Sequence, residues 1–157
     1  MQDREKTTVD NIRKSQTVSL SEALRHLVDS FGAETGTLHL LEEDGLLHLK
    51  ALAGEFPPSV LAVMQKIPVG KGMAGLAVER ALPVDACNIQ TDSSGDVRPG
   101  AKATGMEGAI VVPIFDGARV IGALGIANRS ERTFNQQEKN ALIAAGSALV
   151  RGPGPIR

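Results

Sequence analysis

The sequence predicts an α+β fold of three layers, built on an antiparallel sheet that is covered on both faces. Two hairpin signals predict the sheet, because apolar, β-prone segments flank Asp44-Gly45 and Asp116-Gly117, and an Asp-Gly pair in that setting favours a tight turn. Helical patterns near both ends of the chain predict the layer on one face. The middle of the chain must then cover the other face.

The second hairpin is predicted to form the centre of the sheet. Its two segments, residues 109–115 and 120–127, are apolar on both sides, so both sides must be covered by other layers. A two-residue turn at its Asp-Gly pair would place Val112 opposite Ile121. These strands therefore anchor the other elements.

The remaining elements follow from apolar spacing, capping residues and prolines. They are a helix that begins at a capping box over 19–22, strands over 35–41 and 46–53, a helix over 57–66, a short glycine-led helix ending at Arg80, a brief strand over 82–86, a long loop over 88–105 with room for one helical turn, and a final helix that begins at 135–138. We expect residues 1–18 to extend the first helix or to be loose. Residues 19–150 then form one domain, and residues 151–157 a flexible tail.

Composition argues against several classes of function. The 157 residues include 17 Lys and Arg, 18 Asp and Glu, and no Trp or Tyr, which is the wrong balance for a nucleic-acid or anionic membrane surface. A bilayer-spanning segment and a signal peptide are both missing from the sequence. The single cysteine, Cys87, excludes an internal disulfide and a cysteine-paired zinc site. We expect a soluble, cytoplasmic protein.

Two short motifs point to chemistry only weakly. Gly70, Gly72 and Gly75 form G-x-G-x-x-G, but they lie between hairpins rather than after a buried parallel strand, so tight turning and close helix packing explain them better than dinucleotide binding. Amides at the start of that helix could still hold an anion. His39 and His48 are predicted as diagonal neighbours on one face, without the further ligands that zinc needs.

A lined concavity is the stronger candidate for a site. If the glycine-led helix and the loop over 88–105 cover the same face of the sheet, apolar walls and polar loop side chains would converge on a small ligand. The predicted ligand-binding residues are Met73, Ala77, Asp92, Ser93, Asp96, Arg98, Thr104, Ile110 and Val112. Among them, Arg98 is the candidate anchor for a phosphate or a carboxylate. A filled core under a surface loop remains the alternative.

The chain also resembles a known family. The segments IPVGKGMAGLAVERALPVDACNI, GAIVVPIFDGARVIGALGIANR and TFNQQE, in that order, are similar to those of GAF domains, and the resemblance covers most of residues 20–150. It implies a sheet of about six antiparallel strands, with the terminal helices on one face and a ligand pocket on the other. Members that bind cyclic nucleotides carry a motif that Asn128 and Phe134 match here, whereas Arg129 and Glu138 depart from it. Lys139 departs from it as well, so the motif is only partial, and cyclic nucleotides are one class of candidate ligand among others.

The resemblance implies a non-catalytic sensory or regulatory domain. It would bind a small ligand of unpredicted identity over Ile110 and Val112, and it would pass the occupancy to its terminal helices. GAF-type free methionine sulfoxide reductases use more than one cysteine, so lone Cys87 disfavours that enzyme class, and it also disfavours bilin attachment. The alternative from another class is a ligand-free module that forms a homodimer through its first and last helices.

Overall fold

The computed structural model describes residues 20–151 of the chain. In chain order, its elements are α1 (residues 20–30), β1 (Thr35–Leu41), β2 (Leu46–Ala53), α2 (Pro58–Met64), β3 (Lys66–Pro68), α3 (Gly72–Arg80), β4 (Val84–Ala86), α4 (Pro99–Lys102), β5 (Gly108–Asp116), β6 (Arg119–Asn128) and α5 (Gln136–Arg151). Ser19 of the predicted capping box, the predicted N-terminal segment and most of the predicted tail lie outside the described residues.

The six strands form one antiparallel sheet with the order β3-β2-β1-β6-β5-β4. Both predicted hairpins are present, and β1 and β6 form the central pair. The sequence did not predict β3, since residues 57–66 were assigned to a helix that in fact ends at Met64. β3 is a three-residue edge strand that ends in proline, and so short a segment carries no readable alternation.

The predicted three-layer arrangement is confirmed. Leu24 of α1 and Leu142 of α5 are buried in one cluster with Ile110 of β5, so the terminal helices cover one face of the sheet. On the opposite face, Ala77 of α3 is buried in a second cluster with Ala109. Adjacent residues of β5 therefore belong to different layers, as the alternation of side chains along a strand requires.

The predicted register of the second hairpin is wrong. Val112 lies opposite Leu124 rather than Ile121, and the turn closes with Asp116 opposite Arg119. The turn therefore lies one residue further along the chain than the Asp-Gly pair predicted. A bulge at Ile121 then adds one residue to β6. A turn shift and a bulge change the pairing without changing the apolar pattern, so the sequence does not reveal them.

α3 approaches β3 so closely that only glycine fits at the contact. A Cβ atom at Gly75 would overlap the carbonyl oxygen of Pro68. We expect Gly75→Ala to lower the free energy of unfolding by about 1–3 kcal/mol, because the helix must move away from the strand. Urea denaturation measures this cost. Gly100→Ala is the control, since its Cβ would meet only Val63, at 3.4 Å. Equal costs for the two substitutions would contradict the close packing.

None of the helices within residues 20–151 is both long enough and apolar enough to cross a membrane.

Candidate functional site

A cavity of about 830 Å³ lies between the sheet and the segments that cover its second face. Its floor comes from β1, β5 and β6, and its walls come from α2, β3, the first turn of α3 and the loop that contains α4. A volume of this size is typical of sites that enclose small organic molecules. The predicted alternative of a completely filled core under the loop is therefore wrong.

The floor is a row of alternate residues from the central strands. Thr35, Thr37 and His39 of β1 line the cavity together with Ala109 and Val111 of β5. Leu38, which lies between Thr37 and His39, packs instead in the cluster that the terminal helices cover. This polar alternation on β1 was readable in the sequence, yet the histidine was considered only as half of a possible metal pair.

Three of the predicted apolar lining residues are placed elsewhere. Ile110 and Val112 have no exposed surface, and they pack on the face that the terminal helices cover. Ala77 is also fully buried, within the core between α3 and the sheet, and does not line the cavity. The prediction that Ile110 and Val112 form the floor is wrong because β5 is apolar on both faces, and alternation alone cannot tell which face is open. Met73 lines the cavity as predicted.

The polar loop supplies fewer groups to the cavity than the sequence predicted. Arg98 and Thr104 line it, but Asp96 forms an ion pair with Arg80, at 3.1 Å between Oδ2 and Nη1, outside the lining. The carboxylate of Asp92 accepts hydrogen bonds from the amide and the hydroxyl of the residue two positions ahead, at 3.2 and 2.6 Å. Asp92 and the exposed Ser93 lie outside the lining, and the acids of the loop stabilise the loop itself.

The charged groups of the lining all have one sign. Lys66, Lys71 and Arg98 line the cavity, and within residues 20–151 no Asp or Glu does so. None of the three cations forms an ion pair with another described residue. A Cβ at Gly72 would lie 3.3 Å from Cδ of Arg98, so the arginine side chain runs along the start of α3. The sequence identified Arg98 but missed both lysines, which are separated from it in the chain.

The first turn of α3 adds backbone donors to these cations. Its first helical hydrogen bond runs from the amide of Gly75 to the carbonyl of Lys71, and the helix has no side-chain cap. The amides of Gly72, Met73 and Ala74 precede that bond, and these residues line the cavity. Amides at a helix N-terminus carry a partial positive charge and bind anions. The cationic side chains and the helix start thus favour an anionic group in the cavity.

His39 is the most deeply buried polar residue of the lining, with 2% of its surface exposed. Its Nε2 lies 2.8 Å from the carbonyl oxygen of Met64, the last residue of α2. Because a carbonyl oxygen only accepts, Nε2 carries the proton. Burial lowers the pKa of His39, and the hydrogen bond to Met64 offsets part of that effect. The ring is therefore neutral at pH 7, and its Nδ1 presents a lone pair.

The predicted pairing of the two histidines on one face is wrong. His39 lies opposite Leu49 and His48 lies opposite Leu40, because the amide of Glu42 bonds to Leu46 and the turn spans three residues, 43–45, instead of two. The two side chains therefore lie on different faces of the sheet. His48 is bound by Asp44 instead, at 2.8 Å between Nε2 and Oδ2. His39 alone belongs to the cavity.

The residues that match or replace the cyclic-nucleotide motif lie outside the cavity lining. The guanidinium of Arg132 donates to Asn128 and to Glu138, each at 2.9 Å, and stacks 4.6 Å above the ring of Phe134. Asn128 in turn donates to the carbonyl of Gly32, at 2.7 Å. The network therefore joins β6 to the end of α1 and to the start of α5. Arg129, at the end of β6, is exposed and does not line the cavity either.

Glu138 also closes the predicted cap of α5. Its amide donates to the side chain of Asn135 at 2.8 Å, and its carboxylate accepts from the amide of Asn135 at 3.1 Å, which is a reciprocal capping box. The hydrogen bond from the Asn135 amide lowers the pKa of Glu138, and the guanidinium of Arg132 lowers it further. The ionised carboxylate of Glu138 therefore contributes its full stability above the pKa of Glu in the unfolded chain, about 4.3. This stability is lost as the pH falls through the lower pKa that Glu138 has in the folded protein.

We expect Glu138→Gln to lower the free energy of unfolding by about 1 kcal/mol at pH 7, because the glutamine keeps the cap but loses the charge. Thermal unfolding of both proteins between pH 7 and pH 3 measures the difference. It should shrink below about pH 4.3 as the carboxylate becomes protonated. A difference that does not change with pH would contradict the ionic contribution.

Comparison with known proteins assigns the family. The family model for the GAF domain matches residues 15–149, so the chain belongs to the GAF family. No curated protein sequence matches the chain significantly. The GAF domain region of a Geobacter sulfurreducens protein superposes with a TM-score of 0.76 at 16% identity, over 92% of this chain and 96% of that one. The GAF domain of a Coxiella burnetii phosphoenolpyruvate-protein phosphotransferase gives 0.70 at 19%, over 85% and 79%.

Enzymes have this fold as well. The free methionine-R-sulfoxide reductase of Neisseria meningitidis, solved in complex with its substrate, superposes with a TM-score of 0.69 at 21% identity, over 85% of this chain and 75% of that one. The prediction that the chain is not an enzyme is therefore wrong as an inference from its family, since the fold also accommodates catalysis. At this identity the likeness establishes the fold alone.

Proposed function

We propose that the domain binds a small amphipathic anion in the cavity and passes the occupancy to its terminal helices. The ligand class is a carboxylate or a phosphate attached to a largely apolar body. The observation that carries the proposal is a lining of apolar walls and three cations, without an acidic residue from the described part of the chain. Apolar walls supply contact area, and the few charged groups fix the orientation of the ligand.

The anionic group has a defined place in this proposal. Arg98 and Lys71 lie beside the free amides of the first turn of α3, so charged side chains and oriented amides act on the same group. Hydrogen bonds to a charged group are stronger than neutral ones, and guanidinium matches the geometry of carboxylate and phosphate. The apolar body then extends over Val111 and Met73. Cyclic nucleotides are anionic and belong to the candidate ligands on this basis.

Ligand binding would act on the terminal helices through β5, because successive residues of this strand face opposite layers. Ala109 and Val111 line the cavity, while Ile110 and Val112 pack against the opposite layer, which contains Leu142 of α5. A shift of this strand on ligand binding would act directly on that packing. Binding changes the arrangement of the helices only if the ligand has different affinities for the two arrangements.

A thermal-shift panel tests the proposal. Phenylacetate, 3-phenylpropanoate and cyclic AMP are compared with phenylacetamide and 3-phenylpropanamide, which keep the apolar body and lose the charge. We expect at least one anion to raise the melting temperature in a saturable manner, with about 2.7 kcal/mol of stabilisation at a hundredfold excess over its Kd, and the amides to have little effect. If no anion binds, or if the amides bind equally well, the proposal fails.

A second candidate function is reduction of free methionine-R-sulfoxide, favoured by the structural likeness to reductases of that class. Cys87 is the only cysteine of the chain, and its side chain is exposed and outside the cavity lining. Turnover by this chain would therefore need Cys87 together with an external thiol. Loss of methionine sulfoxide in the presence of dithiothreitol, abolished by Cys87→Ser, would support this function. Turnover that survives the substitution would exclude Cys87 as the nucleophile.

A homodimer through α1 and α5 stays a prediction. Leu20, Leu142, Ala145 and Leu149, which motivated it, are wholly or partly buried in the core of the single chain. Light scattering at high protein concentration tests the prediction, and a monomer would contradict it.

A further inference from the structure

The Nδ1 atom of His39 has a lone pair but no hydrogen-bond partner among the described residues. It is the only side-chain nitrogen or oxygen in residues 20–151 that is both buried and unpaired. Buried polar groups are almost always paired, because an unpaired one loses its hydration without compensation. His39 lines the cavity, so a molecule bound in the cavity is a candidate for the missing partner.

We propose that Nδ1 of His39 accepts a hydrogen bond from the bound ligand, and that the ligand carries an N–H or O–H group on its apolar body, away from its anionic group. The inference rests on the proposed function, since it extends the ligand class of the same cavity. It defines His39 as a specificity-determining residue. A ligand with an acceptor in this place would be rejected, because two acceptors would face each other.

Because the proton of the ring is on Nε2, Nδ1 binds a hydrogen-bond donor rather than an acceptor. The bond to Met64 holds the tautomer, so Nδ1 can only accept while that bond is intact. Burial favours the neutral ring. Within residues 20–151, the lining holds no carboxylate that would stabilise an imidazolium.

The enclosure of Nδ1 limits how a ligand group can reach it. Nδ1 is enclosed in the absence of a ligand, so side chains near it must move slightly for a donor to reach it. α2 is held by few buried contacts, since Val60 is its only buried residue. The last residue of α2, Met64, is the one that His39 holds. Any opening beside the ring must therefore leave Met64 in place, since the bond to its carbonyl holds the tautomer.

Pairs of probes separate this inference from the proposed function. We would measure the Kd values of 4-hydroxybenzoate, 4-hydroxyphenylacetate and 3-(4-hydroxyphenyl)propanoate beside those of benzoate, phenylacetate and 3-phenylpropanoate. At least one hydroxylated acid should bind about tenfold tighter than its parent, as one added hydrogen bond to a buried acceptor predicts. If parents and hydroxylated acids bind equally, the role of His39 is overturned and the anion site stands. If no acid binds, the anion site itself is overturned.

Nitrogen-15 NMR of the His39 ring provides a readout that a purely structural histidine would not change. On addition of the tightest hydroxylated acid, the Nδ1 resonance should move in the direction of a hydrogen-bonded acceptor, while Nε2 stays protonated. The parent acid should leave Nδ1 unchanged. His39→Phe keeps a ring of similar size and should abolish the preference for the hydroxyl. If the Nδ1 resonance does not shift when the hydroxylated acid binds, the inference is overturned, even if the His39→Phe variant does not fold.

Discussion

Val112→Ala is expected to lower the free energy of unfolding by about 2–3 kcal/mol, whereas Val111→Ala should cost about 1 kcal/mol or less. Val112 has no exposed surface and packs in the core below the terminal helices. Its truncation leaves a void in a tightly packed region. Val111 lines the cavity, so its truncation enlarges a space that already exists. Urea denaturation at equilibrium measures both costs.

The same two variants should behave in the opposite order when ligand affinity is measured. Val112→Ala should leave the Kd of a bound arylalkanoate within about twofold, since the residue faces away from the cavity. Val111→Ala removes apolar contact with the ligand and should weaken binding by about three- to tenfold. The two positions are adjacent and carry the same side chain, so each variant serves as the control for the other. Similar stability costs and similar Kd values would contradict the assignment of the two faces.

Arg98→Glu is expected to weaken binding of an anionic ligand by about thirtyfold or more. The substitution removes a charge-assisted hydrogen bond, worth about 1.5–3 kcal/mol, and adds a repulsive charge beside the first turn of α3. Protein stability should change by less than about 0.5 kcal/mol, because Arg98 is exposed and forms no ion pair with another described residue. Isothermal titration with the tightest acid of the panel measures the affinity.

Arg119→Glu is the matched control for this prediction. It changes the net charge of the chain by the same amount, but Arg119 lies at the hairpin turn and outside the cavity lining. Any long-range effect of net charge on an anion should be equal in the two variants. A loss of affinity of the same size in both would show that overall charge, rather than a contact with Arg98, controls binding.

Local sequence signals predicted much of this fold. The Asp-Gly pair at residues 44–45, between two alternating apolar segments, placed β1 and β2 at the bounds that the structure shows. The Asn135 and Glu138 pair placed the start of α5, because a capping box is formed within one turn of helix. Signals of this kind depend on neighbours in the chain, and for that reason a sequence reveals them.

The site was predicted less well because it depends on contacts between distant segments. β5 is apolar on both faces, and the choice between Val111 and Val112 as a lining residue is made by the helices that cover one face. The role of His39 depends on a carbonyl group 25 residues away in the chain. Neither of these contacts produces a pattern among neighbouring residues of the sequence. The one available signal was the row of polar residues Thr35, Thr37 and His39, at alternate positions of the same strand.

NMR of methionine methyl groups tests the central claim that the cavity holds an amphipathic anion. Met64, Met73 and Met106 all line the cavity, and Met1 is the only other methionine of the chain. The protein is labelled with carbon-13 at its methionine methyl groups and titrated with the arylalkanoates and their amides. We expect the three lining resonances to shift together and to saturate with the acids but not with the amides. Lining resonances that stay fixed throughout, or that respond equally to acids and amides, would contradict the account.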